Sequence, residues 1–135
     1  MYSPQRPQAY LDNEVLSASP ERLVPLTYEG ILRHLKRAGM QIGAGDIEGK
    51  SQSLQKALDL VYGLMGSLDF EAGGELAGRL DRLYGFFAAE ILAVGRSLDR
   101  ARLERLVGLI ARLHEAWDEA ARQVSMGHAG RSSGH

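Results

Sequence analysis

The sequence contains no cysteine, which excludes disulfide bridges and thiolate metal ligands from its 135 residues. It also lacks a basic excess, since 16 lysine and arginine residues stand against 17 acidic ones and the formal net charge is −1. Nucleic-acid binding needs positive charge that neutralises phosphates, and attraction to an anionic membrane needs it too. We therefore expect neither partner, and the missing cysteine suits a reducing compartment.

Long apolar runs are also missing. No stretch reaches the length of a membrane-spanning helix, and residues 1–8 lack the apolar core of a secretory signal. We therefore expect a cytoplasmic protein without membrane insertion. The composition is 44% hydrophobic and 24% charged, which is typical of a folded soluble protein, and the chain is long enough for one core.

The apolar residues recur at alternating spacings of three and four, which is the pattern of helices that bury one face. Four such stripes follow one another, and strand-like alternation is absent. The stripes are Val24, Tyr28, Ile31, Leu35, Ala38 and Ile42; Ile47, Leu54, Leu58, Val61, Met65 and Leu68; Leu76, Leu80, Leu83, Phe87, Ile91 and Val94; and Leu103, Leu106, Ile110, Leu113, Trp117, Ala120 and Val124. Short connections between such helices favour an all-α, antiparallel up-down four-helix bundle.

Capping residues predict where three of the helices begin. Ser19-Pro20-Glu21 is predicted to start the first helix, because a hydroxyl cap precedes proline and an acid at the positive helix end. Asp46 is predicted to cap the second helix and Asp99 the fourth. Pro25 falls inside the first helix, so a bend or an irregular start is expected there.

Glycine-rich segments predict where the helices end. Gly43-Ala44-Gly45 should end the first helix, residues 67–71 should form a turn, and Gly95 should end the third helix. The end of the chain is rich in glycine and small polar residues and lacks periodicity. The expected organisation is an N-terminal arm over residues 1–18, a helical bundle over residues 19–124 and a disordered tail over residues 125–135.

The histidines and glycines do not form a recognisable catalytic or metal motif. A di-metal bundle site uses Glu-x-x-His, but Ile31 precedes His34 and Ala111 precedes His114 at that spacing. We expect each of these histidines to be a partly exposed polar residue beside a stripe. The glycine-rich stretch 73–78 lacks the strand and lysine of a phosphate-binding loop. We therefore expect no metal, no cofactor and no enzymatic activity.

His34-Leu35-Lys36 leaves one alternative open. Histidine-phosphotransfer domains are also four-helix bundles, with an exposed histidine and a nearby lysine. They usually place a small residue after the lysine, whereas Arg37 stands there in this sequence. A phosphotransfer domain that uses His34 is the alternative function, and a purely structural helical adaptor is a third hypothesis.

Seven apolar residues lie beside the stripes: Leu32, Leu60, Leu64, Phe86, Leu92, Val107 and Leu109. A wider core face explains such residues in many globular helices. Together they also suit an apolar groove that accepts an amphipathic helix of a partner. The sequence leaves both interpretations open for each residue.

Several sequence blocks resemble the flagellin export chaperones of the FliS family, over the range from Tyr10 to about Ala121. The blocks are Tyr10-x-x-Asn13-x-Val15-x-Ser17-Ala18-Ser19-Pro20-Glu21-x-Leu23, Leu26-x-Tyr28-Glu29-Gly30, Gly45-Asp46-Ile47, Leu68-Asp69-x-Glu71-x-Gly73-Gly74-Glu75-Leu76-Ala77 with Leu80-x-x-Leu83-Tyr84, and Ala116-Trp117. Arg22, Pro25 and Gly85 depart from the family pattern and bear on helix geometry. The order and number of the blocks make the resemblance specific.

The resemblance implies a cytoplasmic helical bundle that holds newly made flagellin and masks its C-terminal segment against premature polymerisation. It also implies delivery to a component of the flagellar export gate, without catalysis. The arm with Tyr10 is expected to cover part of the binding surface when the client is absent, and weak self-association is expected. The residues expected to contact the partner are Tyr10, Leu11, Val15, Leu60, Leu64, Leu68, Phe86 and Leu109.

Overall fold

The computed structural model describes residues 20–133, which form four α-helices. They are α1 (Pro20–Ala44), α2 (Ile47–Gly66), α3 (Phe70–Ser97) and α4 (Arg100–Ser133). Each helix packs against two others, in the cyclic order α1, α2, α3, α4, and α3 and α4 approach each other least. Connections of only two or three residues make successive helices antiparallel. The predicted all-α bundle is confirmed.

The core lies along the predicted stripes, where the four helices face one another. Its largest fully buried side chains come from all four helices: Tyr28, Ile31, Leu35, Val61, Tyr84, Phe87, Ile91, Val94 and Ile110. The stripes are buried less completely near their ends, where Ile47, Leu76 and Val124 are exposed. Ile47 begins α2 and Val124 lies in the last turns of α4, where fewer neighbouring helices cover a side chain. Periodicity alone therefore overestimates the length of the core.

Aspartate side chains cap the helices that follow the three short connections. Asp46 Oδ1 accepts a hydrogen bond from Gly49 N at 2.9 Å, and Asp99 Oδ1 accepts one from Arg102 N at 3.1 Å. Both predicted caps are confirmed. Asp69, which the sequence pattern places inside a turn, caps α3 through Oδ1. The predicted cap at Ser19 lies outside the described residues.

One helix end differs from the prediction. Gly95 was expected to end α3, but the helix continues to Ser97, and Leu98 terminates it in the left-handed conformation with φ 57°. A single glycine lowers helix propensity without excluding helix, and Lys50 Nζ donates a hydrogen bond to the Gly95 carbonyl at 3.3 Å. α4 extends to Ser133. α1 also runs unbroken through Pro25.

α3 contains a kink at Gly74, which has φ 53° and ψ −126°. Side chains with a Cβ are excluded from this backbone conformation by steric clashes, so glycine is required here. Gly73 is confined as well, since a Cβ at that position would lie 2.9 Å from the Cβ of Ala77. The kink sets the first turn of α3 apart from the rest of the helix.

We expect Asp46→Ala to lower the free energy of unfolding by about 1 kcal/mol, because Gly49 N loses its capping acceptor. Urea denaturation of both proteins measures the difference. Asp46→Asn is the matched control, because its amide oxygen still accepts from the helix N-terminus. Equal losses in both variants would show that the cap does not stabilise α2.

We expect Gly74→Ala to destabilise the protein by about 1–3 kcal/mol, because alanine is strained at the observed φ and ψ. Gly63→Ala is the control, since Gly63 lies in α2 with nothing near the new Cβ. That change should stabilise the helix by about 0.5–1 kcal/mol. Thermal and urea unfolding give both values, and a stabilising Gly74→Ala substitution would contradict the kink.

Candidate functional site

An apolar groove of about 360 Å³ opens at the end of the bundle where α2 turns into α3. α1 contributes one wall residue near its start and α4 contributes one in its second half. The remainder come from the end of α2, the connection that follows it, and α3 as far as Tyr84. The larger lining residues are Val24, Leu64, Leu68, Leu76, Leu80, Tyr84 and Trp117. Most of the wall is therefore aliphatic or aromatic.

The small residues of α3 explain why the groove is open at this place. Ala72, Gly73 and Ala77 line it, and their side chains are too short to fill the space between the helices. The kink at Gly74 lies among them and redirects the first turn of the helix. The groove therefore follows from a local backbone requirement of α3.

The opposite end of the bundle is closed by an ion pair between α3 and α4. Arg102 Nε donates to Glu90 Oε1 at 3.0 Å, and Arg102 Nη2 donates to Glu90 Oε2 at 2.7 Å. The hydrogen bonds from Arg102 lower the pKa of the Glu90 carboxyl, so it stays ionised at neutral pH. This ion pair joins the end of α3 to the start of α4.

Three aromatic rings lie at the base of the groove. The Tyr28 hydroxyl donates to the Tyr84 hydroxyl at 3.2 Å, and their ring centroids are 6.2 Å apart. The Trp117 ring lies 6.5 Å from the Tyr28 ring. Burial raises the pKa of both tyrosines, and hydrogen bonds with Tyr84 and Trp117 partly offset this for Tyr28. Both hydroxyls therefore keep their protons at neutral pH.

The structure brings two of the predicted partner-binding residues together. Leu64 and Leu68 line the groove, whereas Leu60 does not and instead packs close to Gly30 of α1. The remaining predicted contacts on α3 and α4 also lie away from the groove, Phe86 being 49% exposed and Leu109 partly buried. Tyr10, Leu11 and Val15 lie outside the described residues. For all eight, a role in binding stays a prediction.

The sequence pattern assigned several groove residues to the core. Val24, Leu80 and Trp117 are partly buried and pack against the core, but each also lines the groove. The expectation that Trp117 is a core residue is therefore correct only in part. The sequence signal that could have identified the groove was the group of glycine and alanine residues in α3. Stripe residues opposite such small side chains lack a full packing partner.

The two helical histidines have different surroundings. His34 is only 3% exposed, so the prediction that it is a partly exposed residue is wrong. Its burial excludes the phosphotransfer alternative, because a phosphoryl donor must reach the imidazole. His114 is partly exposed as predicted, and its Nε2 lies 3.7 Å from Glu29 Oε1, between α4 and α1. Among residues 20–133 no group of three or more histidine, aspartate or glutamate side chains is arranged to hold a metal ion.

No helix within the described part of the chain is long and apolar enough to cross a membrane. Few polar side chains line the groove. Ser67 and Asp69 lie at its rim, and each is already engaged, Ser67 Oγ with the Leu64 carbonyl and Asp69 with the start of α3. The geometry is suited to binding an apolar surface of another molecule and offers no evident catalytic group.

Comparison with known proteins gives a consistent result. The sequence model of the family described as "Flagellar protein FliS" matches residues 2–124. The chain is 32% identical to the flagellar secretion chaperone FliS of Salmonella typhimurium, over 87% of this chain and 88% of that protein. It is 34% identical to the flagellar secretion chaperone FliSB of Pseudomonas aeruginosa, over 84% and 90% of the two chains.

A third relative extends the match along the chain. The flagellar secretion chaperone FliS of Escherichia coli is 31% identical over 131 residues, which cover 93% of this chain and 96% of the relative. The blocks that suggested the resemblance include residues of the groove, among them Leu68, Leu76 and Tyr84. The matched range, the identities and the helical bundle together show that this chain belongs to the FliS family of flagellar proteins.

Proposed function

We propose that this chain is a cytoplasmic flagellar secretion chaperone that binds the C-terminal segment of newly made flagellin. Binding would prevent premature polymerisation and assist delivery to a component of the flagellar export gate. The observation that carries the proposal is the apolar groove of about 360 Å³ in a member of a family whose named relatives are flagellar secretion chaperones. Neither a cofactor nor catalysis is part of the proposed activity.

An amphipathic client segment has the physical properties that this groove requires. Burying apolar side chains against Leu68, Leu76 and Leu80 removes both surfaces from water, at roughly 25 cal/mol per Å². That gain offsets the conformational entropy that a disordered segment loses when it folds on its partner. Masking the same apolar face would keep the client from associating with other copies of itself.

The groove is large enough for a few side chains and not for a whole helix. A longer client would therefore extend beyond it, and the poorly closed face between α3 and α4 is the surface that we propose for the remainder. Phe86 and Leu109 belong to these two helices, and Phe86 is half exposed. This arrangement would spread the contacts along the bundle, as a helix-in-groove complex does.

Leu76→Glu should weaken the binding of a flagellin C-terminal peptide by about tenfold or more, because a charge would be buried against the apolar client. Leu76 is 57% exposed in the free protein, so the fold should tolerate the change. Leu92→Glu is the matched control: it lies in the same helix, is 45% exposed and does not line the groove. Calorimetric titration of all three proteins gives the affinities.

Equal thermal melting curves for the two variants establish that both fold. Failure of the unmodified protein to bind the flagellin peptide would contradict the proposed function. Equal losses of affinity in Leu76→Glu and Leu92→Glu would place the contact elsewhere on α3.

Deleting residues 1–16 should expose groove surface, on the proposal that the arm with Tyr10 and Leu11 covers it in the absence of client. The shortened protein should bind more of an apolar dye and self-associate more than the full chain. Dye fluorescence and sedimentation measure the two effects. A monomeric variant with unchanged dye binding and unchanged flagellin association kinetics would exclude a covering role for the arm.

A further inference from the structure

A second cleft lies between α1 and α4, at the end of the bundle away from the apolar groove. It encloses about 220 Å³ and is lined by Leu35, Lys36, Gly39, Met40, Arg100, Leu103, Glu104 and Val107. Its floor is apolar, since Leu35 and Leu103 are buried and Val107 packs against the core. Gly39 has no side chain to fill the space above Leu103, and Met40 is 68% exposed at the rim. An apolar floor with an exposed apolar rim indicates a surface that another molecule covers.

Two cations border this cleft, one from each helix. Neither the Lys36 nor the Arg100 side chain forms a hydrogen bond or an ion pair with another residue that the structure describes. The Arg100 guanidinium reaches across to α1, because a Cβ at Gly43 would lie 2.9 Å from its Nη1. Lys36 lies seven positions before Gly43, so about 10 Å of helix separates the two cations along α1. Glu104, one turn along α4 from Arg100, pairs with neither cation.

We propose that this cleft binds an amphipathic helix of another protein, which carries two carboxylates seven residues apart and apolar residues between them. Positions i and i+7 of a helix lie on one face about 10 Å apart, which matches the spacing of Lys36 and Arg100. Positions i+3 and i+4 lie between them on the same face and would contact the apolar floor. Charge complementarity favours the two carboxylates, and Glu104 disfavours a third one in the middle.

Other occupants fit this cleft less well. A second copy of the chain does not supply the pattern, because no two acidic residues within residues 20–133 are seven positions apart. Nucleic acid needs a larger excess of positive charge than two cations and one acid provide. Helical segments with an apolar stripe between carboxylates satisfy both the floor and the rim.

The cleft is separate from the groove proposed for the client. Val24 lines the groove and Leu35 lines the cleft, and these residues of α1 are eleven positions apart, which is about 16 Å of helix. A partner could therefore occupy the cleft while the groove holds a client. The inference does not depend on the identity of that client.

The test uses two synthetic helical peptides as probes. One carries glutamate at positions i and i+7 with leucine at i+3 and i+4, and the other carries lysine in place of both glutamates. The unmodified protein should bind the glutamate peptide about tenfold more tightly than the lysine peptide, as measured by calorimetric titration. Lys36→Glu combined with Arg100→Glu should reverse this preference. Both side chains are exposed, so the fold should tolerate the changes, and thermal melting checks this.

Arg37→Glu combined with Arg112→Glu is the matched control. It changes the net charge equally, at exposed positions of the same two helices that do not line the cleft. This variant should keep the preference for the glutamate peptide. If the unmodified protein binds neither peptide, or binds both equally, the inference is wrong. Equal losses of preference in the two double variants would trace the effect to net charge and would also overturn it.

Discussion

The contact between Tyr28 and Tyr84 spans the diagonal of the bundle. α1 and α3 are not neighbours in the helix order, yet these two side chains meet at 3.2 Å between their hydroxyl oxygens. Tyr28 also packs against Trp117, so one fully buried ring of α1 joins α3 and α4. Away from the groove, Phe87 and aliphatic side chains fill the core. On the other side of the rings, Leu64 and Leu80 line the groove.

The same region combines features that are unfavourable for folding alone. Gly74 has a backbone conformation that costs conformational freedom, and Leu76 exposes an apolar side chain to water. A bundle selected only for stability would replace the small residues of α3 with larger ones and close the groove. A bound partner that covers the groove would stabilise the folded state by mass action. The structure is therefore well explained as a compromise between folding and binding.

The sequence alone was sufficient to predict the bundle. Helical periodicity, the caps at Asp46 and Asp99 and the short connections are local signals, because they depend on residues close together in the chain. The blocks around Leu68 and Tyr84 also indicated the FliS family. The failed predictions concern the end of α3 and the burial of His34. Gly95 was assigned as a stop although the carbonyl contact from Lys50 and the packing of α2 support the helix there.

The position of the groove was decided by the tertiary structure. A stripe leucine such as Leu76 and a core leucine such as Leu58 have the same periodicity, and the side chains that surround each of them in the bundle determine which is buried. Many of those surrounding side chains lie on other helices, so a local pattern contains only part of the information. The sequence by itself therefore determined four amphipathic helices and their order. The contacts across the bundle decided which apolar residues became core and which remained available to a partner.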